Sequence, residues 1–206
     1  MSWSATERFE VRPAPGGLVV VQELLNTSAG GRPRKPDLLD TLDSAQGWLD
    51  RVLDEWAAAS GRTRERVALI DRDLDELKRL RTRLRQALAA RGGNGAADEA
   101  EDALLAAEPV TLRMAADSTV TVEPQGDGAR RVTSAVLAEC LLSQTLGTWQ
   151  RLKICRHDRC GAAFYDHSRN SSAVWHDART CGNTVNLRAS RERRRAHQES
   201  EHPVRP

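Results

Sequence analysis

Four side chains in the last quarter of the chain have the types and spacing of a metal centre: Cys155, Cys160, His176 and Cys181. Four residues separate the first pair, four separate the second, and fifteen lie between the pairs. Zinc takes four such donors at tetrahedral corners, and two short loops presenting two ligands each can supply them. Gly161 and Gly182 each follow a cysteine of this set, where a residue without Cβ lets backbone N–H groups turn toward a thiolate. A complete set of four protein donors leaves no position for a reactive water, so the expected ion is one structural Zn²⁺ per chain. His157 lies two residues after Cys155 and would strain a shared site. His167 falls mid-loop, and both read as surface residues. A redox pair is disfavoured because no Cys-x-x-Cys is present. Cys140, within VLAECLL, reads as a small buried thiol on an apolar helix. Phe164, Tyr165, Val174 and Trp175 make at most a mini-core, so metal binding would supply much of the module's folding free energy.

Cations surround this centre. Residues 151–206 hold twelve Lys or Arg against six Asp or Glu, a formal +6, whereas the first 150 residues carry a formal −4. The run NTVNLRASRERRRAHQ after Gly182 has helix-forming composition, with Asn183 or Thr184 as a cap. On that helix Arg188, Arg191 and Arg195 share a face with Arg194 beside them. Arg151, Lys153, Arg156 and Arg159 lie on the other side of the metal. Guanidinium groups fork onto phosphates or guanine edges, so DNA is the leading partner and RNA a lesser one. The competing reading is a solvated basic helix with no anionic partner.

These residues need a frame, and the rest of the 206-residue chain reads as one. No run approaches the about 18 apolar residues of a spanning helix. The opening MSWSATERFEVRPAPGG lacks the pattern of a signal peptide, and a cytoplasmic location is expected. LVVVQELLNT (18–27) predicts a first helix, residues 43–59 a second that Gly61 ends, and 64–91 a third. Val67, Ile70, Leu74, Leu77, Leu84 and Leu88 form the stripe of that third helix, with Leu80 at its edge. The stripe suits either the chain's own core or a homodimer. GGNGAADEAEDA (92–103) reads as a flexible acidic connection. VTLRMAA (110–116) and TVTVEP (119–124) predict a hairpin turned by Asp117–Ser118. Another helix follows from Val132 to about Trp149, running into the metal module with little punctuation. The expected fold is therefore α+β. Residues 1–17 form a loose lead-in, and 18–150 a mainly helical domain with a hairpin near 110–124. Residues 151–197 form a small structural zinc module ending in a basic helix, and 198–206 a disordered tail.

The C-terminal residues resemble the CGNR-type zinc finger, and the whole chain resembles bacterial proteins that join it to an N-terminal ABATE-type domain. Such fingers show Cys-x4-Cys-Gly, an aromatic-aromatic-Asp-x-Ser-x-Asn stretch, Trp-Cys, and Cys-Gly-Asn-Arg. Here the corresponding runs are CRHDRCG, FYDHSRN, WH and CGNT. His176 thus stands where the family has a cysteine, and Thr184 stands where it has an arginine. The second change removes one potential phosphate contact. In the N-terminal part the resemblance spans about 18–150 and rests on LVVVQELLNT, PDLLDTLDSAQGWL, LRMAADSTVTVEP and TWQRLKIC, with Glu23-Leu24 replacing an Asp-aromatic pair. The resemblance implies a stress-related transcriptional regulator but not what the N-terminal domain senses or binds, so an unspecified small ligand or protein stays open as its partner. The alternative is a zinc-stabilised protein-interaction module docking through Phe164, Tyr165 and Trp175. An enzyme is not expected: no phosphate-binding glycine loop, nucleophile elbow or His-Glu-x-x-His element is present.

Overall fold

The computed structural model describes residues 3–31, 33–61, 63, 65–91, 107–185 and 187. The acidic connection at 92–103, the tail at 198–206, and Arg188, Arg191, Arg194 and Arg195 lie outside the described residues.

Helix α2 (Leu18–Asn26) is the hub, and all nine of its residues are buried. Its apolar side chains pack on α3 (Leu42–Ser60), α4 (Asp71–Arg91) and α5 (Gly128–Thr145) in one continuous core. Its polar residues Gln22, Glu23 and Asn26 are equally enclosed, so each needs a partner. Glu23 supplies its own through the lead-in. Helix α1 (Ser4–Glu7) exposes backbone donors at its first turn, and Glu23 accepts from Ala5 N–H (3.1 Å) and Thr6 N–H (2.7 Å). Trp48 Nε1 donates to the same carboxylate at 3.2 Å. The expected loose lead-in is therefore an anchored segment, with Trp3, Ala5 and Phe9 buried.

Helix α3 begins at Thr41, whose hydroxyl accepts from Ser44 N–H (3.2 Å), and ends as expected at Gly61 in a left-handed conformation. Helix α4 starts at Asp71, not at 64. The chain is non-helical over 65–70, where Val67 and Leu69 turn into the core and Ile70 is 49% exposed. Asp73 fixes the true start, since its Oδ2 accepts from Ile70 N–H at 2.9 Å. Leu74, Leu77, Leu80, Leu84 and Leu88 are all buried within the same chain, so the stripe is not a free dimer surface.

Strands β1 (Val110–Met114) and β2 (Val120–Pro124) pair antiparallel, in the register Leu112 with Val122 and Met114 with Val120. Asp117 Oδ1 accepts from Thr119 N–H (2.9 Å) and Ser118 takes a positive φ, as the expected turn requires. Helix α5 starts before Val132 and stops well before Trp149. Gly147 (φ +70°) ends it, with its N–H on Gln144 C=O and that of Thr148 on Ser143 C=O. A 3₁₀ turn (Trp149–Arg151) then feeds β3 (Leu152–Ile154), which pairs antiparallel with β4 (Ala163–Tyr165). A π-helical turn (Ala178–Gly182) leads into helical residues at 183–185 and 187.

Candidate metal centre

Each ligand is delivered by its own backbone device. Cys155 follows β3 directly, and its N–H donates to Ala162 C=O at 2.8 Å, continuing the β3–β4 ladder. The chain then reverses, with the N–H groups of Cys160 (2.8 Å) and Gly161 (3.3 Å) both on His157 C=O. Gly161 has φ +60°, and a Cβ there would lie 2.8 Å from Arg85 Nη2. Beyond it, Ala162 N–H points back at Cys160 Sγ (3.5 Å). Cys181 is held by the π turn, which Asp177 caps. Asp177 Oδ1 accepts from Arg179 N–H (2.7 Å), its Oδ2 from the Thr180 hydroxyl (3.0 Å), and its C=O from Cys181 N–H (3.0 Å). The hydrogen bonds to its carboxylate, the one from Arg179 first, hold the Asp177 carboxyl below its ordinary range.

His176 precedes that cap and turns Nδ1 inward, 3.3 Å from Cys160 Sγ and 3.5 Å from Cys181 Sγ. The donor atoms of Cys155, Cys160, His176 and Cys181 all lie within 4.8 Å of one another. Tetrahedral zinc, with bonds of about 2.3 Å to sulfur and 2.0 Å to nitrogen, requires sulfur–nitrogen edges of about 3.5 Å and sulfur–sulfur edges of about 3.8 Å. The donor set fits one structural Zn²⁺. None of these cysteines is in a disulfide. The hydrogen bond with Cys160 draws the Cys155 thiol down and pushes Cys160 up, while burial pushes Cys181 up. A divalent cation that takes all three as thiolates removes this competition for protons.

Three thiolates and one imidazole around Zn²⁺ leave a formal −1. Arg85 of α4 answers it from inside: its Nη2 donates to Gly161 C=O (2.5 Å) and its Nη1 to Leu25 C=O (2.9 Å). Burial lowers the Arg85 pKa, and the nearby Cys160 partly opposes that. On the outside, Arg156, Arg159 and Arg179 are exposed, each within two residues of a ligand in the chain.

Two residues expected at a nucleic-acid surface are instead internal braces. Lys153 Nζ donates to Asp166 Oδ2 (2.7 Å), Ser171 C=O (2.5 Å) and Ala173 C=O (3.2 Å), which occupies all three of its protons. Arg151 Nη1 donates to Asp166 C=O (3.0 Å) and Ser168 C=O (2.7 Å). The buried Asp166 carboxylate also accepts from the N–H groups of Ser168 and Ala173, both at 2.8 Å. Burial alone would raise its pKa, but Lys153 and the Ser168 and Ala173 hydrogen bonds overcome that and hold it at about 2. These contacts tie the loop between β4 and His176 to β3.

The module is fused to the N-terminal domain. Asn26 pairs with Ala163 as a neighbouring strand would, Nδ2 donating to its C=O (2.9 Å) and Oδ1 accepting from its N–H (2.8 Å). Gln22 Nε2 reaches the same C=O at 3.2 Å. Arg91 donates to Leu152 C=O (2.6 Å) and stacks over Trp149. Phe9 of the lead-in packs with Cys155, Ala162, Phe164 and Cys181. Phe164 is thus buried, which removes the central residue of the docking surface that the alternative reading needs. His167 is exposed, edge-on to Tyr165, and Cys140 is a buried thiol pushed up to about 12 by burial. Neither belongs to the cluster.

Sequence reasoning missed Arg85, Asn26 and Asp177, and gave Asp166 no role. Asp166 and Asn26 both fell within runs that carried the family resemblance, which was the available signal.

The geometry defines a zinc-finger module set on a helical domain, and the comparisons agree. The CGNR zinc finger family (zf-CGNR) matches residues 151–194. The ABATE family, described as "Putative stress-induced transcription regulator", matches residues 18–147, more than half of the chain. The chain belongs to the ABATE family and carries a CGNR-type zinc finger behind that domain. Comparison with curated proteins finds no match. Both families are regulatory or zinc-finger domains without catalytic activity. Among the described residues, no helix is long and apolar enough to cross a membrane.

Proposed function

We propose that the chain is a DNA-binding transcriptional regulator in which the zinc ion shapes the module and arginines around it engage duplex phosphates. The observation that carries this reading is the segregation of charge. Residues 151–206 hold a formal +6 on a chain whose total is only +2. Arg156, Arg159 and Arg179 border the metal ligands on the exposed side. Arg188, Arg191, Arg194 and Arg195 add further positive charge in the sequence that follows. Arg151 and Lys153 support the exposed side indirectly, by holding the loop that carries His176.

Contacts of this kind are mainly electrostatic and release counterions, so affinity falls steeply with salt. Thr184 replaces the family's motif arginine, and the arginines farther along supply the charge in its place. A homodimer would raise affinity by presenting two modules, through a surface other than the buried Val67–Leu88 stripe. The test is a fluorescence-anisotropy salt series on zinc-loaded protein with Arg191, Arg194 and Arg195 changed to Gln. The variant should bind duplex DNA more weakly, with a log–log salt slope shallower by about 2–3, at unchanged zinc content. Unchanged affinity and slope would remove the basic surface from the account.

A further inference from the structure

We propose that the cavity between α2, α3, α5 and the hairpin binds a neutral, mostly apolar small molecule, and that α2 links its occupancy to the zinc module. The cavity measures about 370 Å³, near the lower end of the roughly 300–1000 Å³ typical of small-molecule sites. Its walls are Val20 and Leu24 of α2, Trp48, Val52 and Trp56 of α3, and Val136 of α5. Natural interiors close voids larger than a water molecule, so an opening of this size between packed helices calls for an occupant.

The chemistry of the walls selects that occupant. Both indole N–H groups are already engaged, Trp48 with Glu23 (3.2 Å) and Trp56 with Glu139 (3.0 Å). The rings therefore present apolar faces to the cavity. Among the described residues, the ionisable groups of the lining are Glu65, Glu123 and Arg131, and each is ion-paired: Glu65 with Arg131, and Glu123 with Arg113. Among the described residues, a charged ligand finds no uncompensated partner, and water finds few polar groups in the apolar part. A compact ring system with at most a hydroxyl or carbonyl toward Thr121 matches this lining.

Helix α2 gives the site its reach. Val20 and Leu24 face the cavity, while Gln22 and Asn26 of the same helix hold Ala163 of the zinc module. Glu23, between them, grips both α1 and Trp48. A ligand that braces Trp48 and α2 also braces the strut beneath β4.

The experiment titrates the full zinc-loaded chain with N-phenyl-1-naphthylamine, a neutral apolar fluorophore. It should bind saturably at one per chain, and Val52→Phe and Ala135→Leu, which fill the cavity, should each weaken binding about ten-fold or more. The double change Leu112→Ser, Met114→Ser, on the exposed outer face of the hairpin, should leave binding unaltered. In the unmodified chain, saturation should slow hydrogen exchange in α2, α3 and at the Ala163 amide, a readout that holds even if a filling variant fails to fold. Absence of saturable binding, or binding lost only in the hairpin variant, overturns the site. Protection of α3 with unchanged exchange at Ala163 overturns the link through α2. DNA affinity enters none of these readouts, so their failure is distinct from failure of the proposed function.

Discussion

At the scale of the residue, the metal centre depends as much on its braces as on its ligands. Asp166 touches no ligand, yet it gathers Lys153, Ser168 and Ala173 and so fixes the loop that leads to His176. Its carboxyl sits at about 2 in the fold, against about 3.9 in an unfolded chain. A carboxyl depressed in this way stabilises the fold fully above the higher value, and that stabilisation fades as pH falls and is gone below the lower. Asp166→Asn should therefore cost about 3 kcal/mol near neutrality, because it leaves the Lys153 ammonium among carbonyls without its counter-charge. The variant should also show a flatter loss of stability between pH 4 and 2, measured by chemical denaturation at each pH. An unchanged slope in the variant would mean that Asp166 is not a source of the acid sensitivity. The ligands themselves were legible from residue type and spacing, since few arrangements of Cys and His serve anything but a metal. The braces were not, because an Asp or Lys in a polar loop looks the same whether it is solvated or paired.

At the scale of the element, periodicity found α3, the hairpin and most of α4, where alternation of apolar and polar residues records one buried face. It misplaced the start of α4 because Val67 and Ile70 fall at helical spacing by coincidence. Val67 and Leu69 reach the core from an extended segment, and Asp73 starts the helix. It also missed the stop of α5 at Gly147, whose left-handed conformation provides the punctuation. Helix α2 was read as a helix, but the burial of its polar residues was not. Gln22, Glu23 and Asn26 look like its solvent face, yet all three are enclosed by partners distant in sequence. Asn26→Leu should test this arrangement, since it keeps the branched shape and removes both hydrogen bonds to Ala163. The expected cost is about 2–4 kcal/mol, from a buried backbone N–H and C=O left short of partners, with faster hydrogen exchange at the Ala163 amide. Unaltered exchange there would show that β4 is held by other contacts.

At the scale of the whole molecule, the zinc module and the helical domain share one core. Leu152 and Ala163 belong to the large hydrophobic cluster, and Phe9 closes the smaller one around Cys155 and Cys181. Removing zinc should therefore lower the melting temperature of the entire chain rather than release an independent tail. A loss of a few kcal/mol corresponds to about 10 °C, at about 2–4 °C per kcal/mol for a chain of this size. Calorimetry with and without a chelator should show one transition that moves. Two transitions, with only the smaller sensitive to chelation, would mean that the domains unfold separately. This fusion also explains why the charge asymmetry could be read from sequence while its use could not. Composition gives the sum of the charges, but only the fold shows that Lys153 faces inward and Arg159 outward.

Cys155, Cys160, His176 and Cys181 form a closed Cys₃His donor set for one zinc ion. X-ray absorption at the zinc edge of the metal-loaded chain tests it most directly. The spectrum should require three sulfur neighbours at about 2.3 Å and one nitrogen at about 2.0 Å, and His176→Cys should convert it to four sulfurs. A shell containing a water oxygen, or a spectrum unchanged by His176→Cys, would contradict the account.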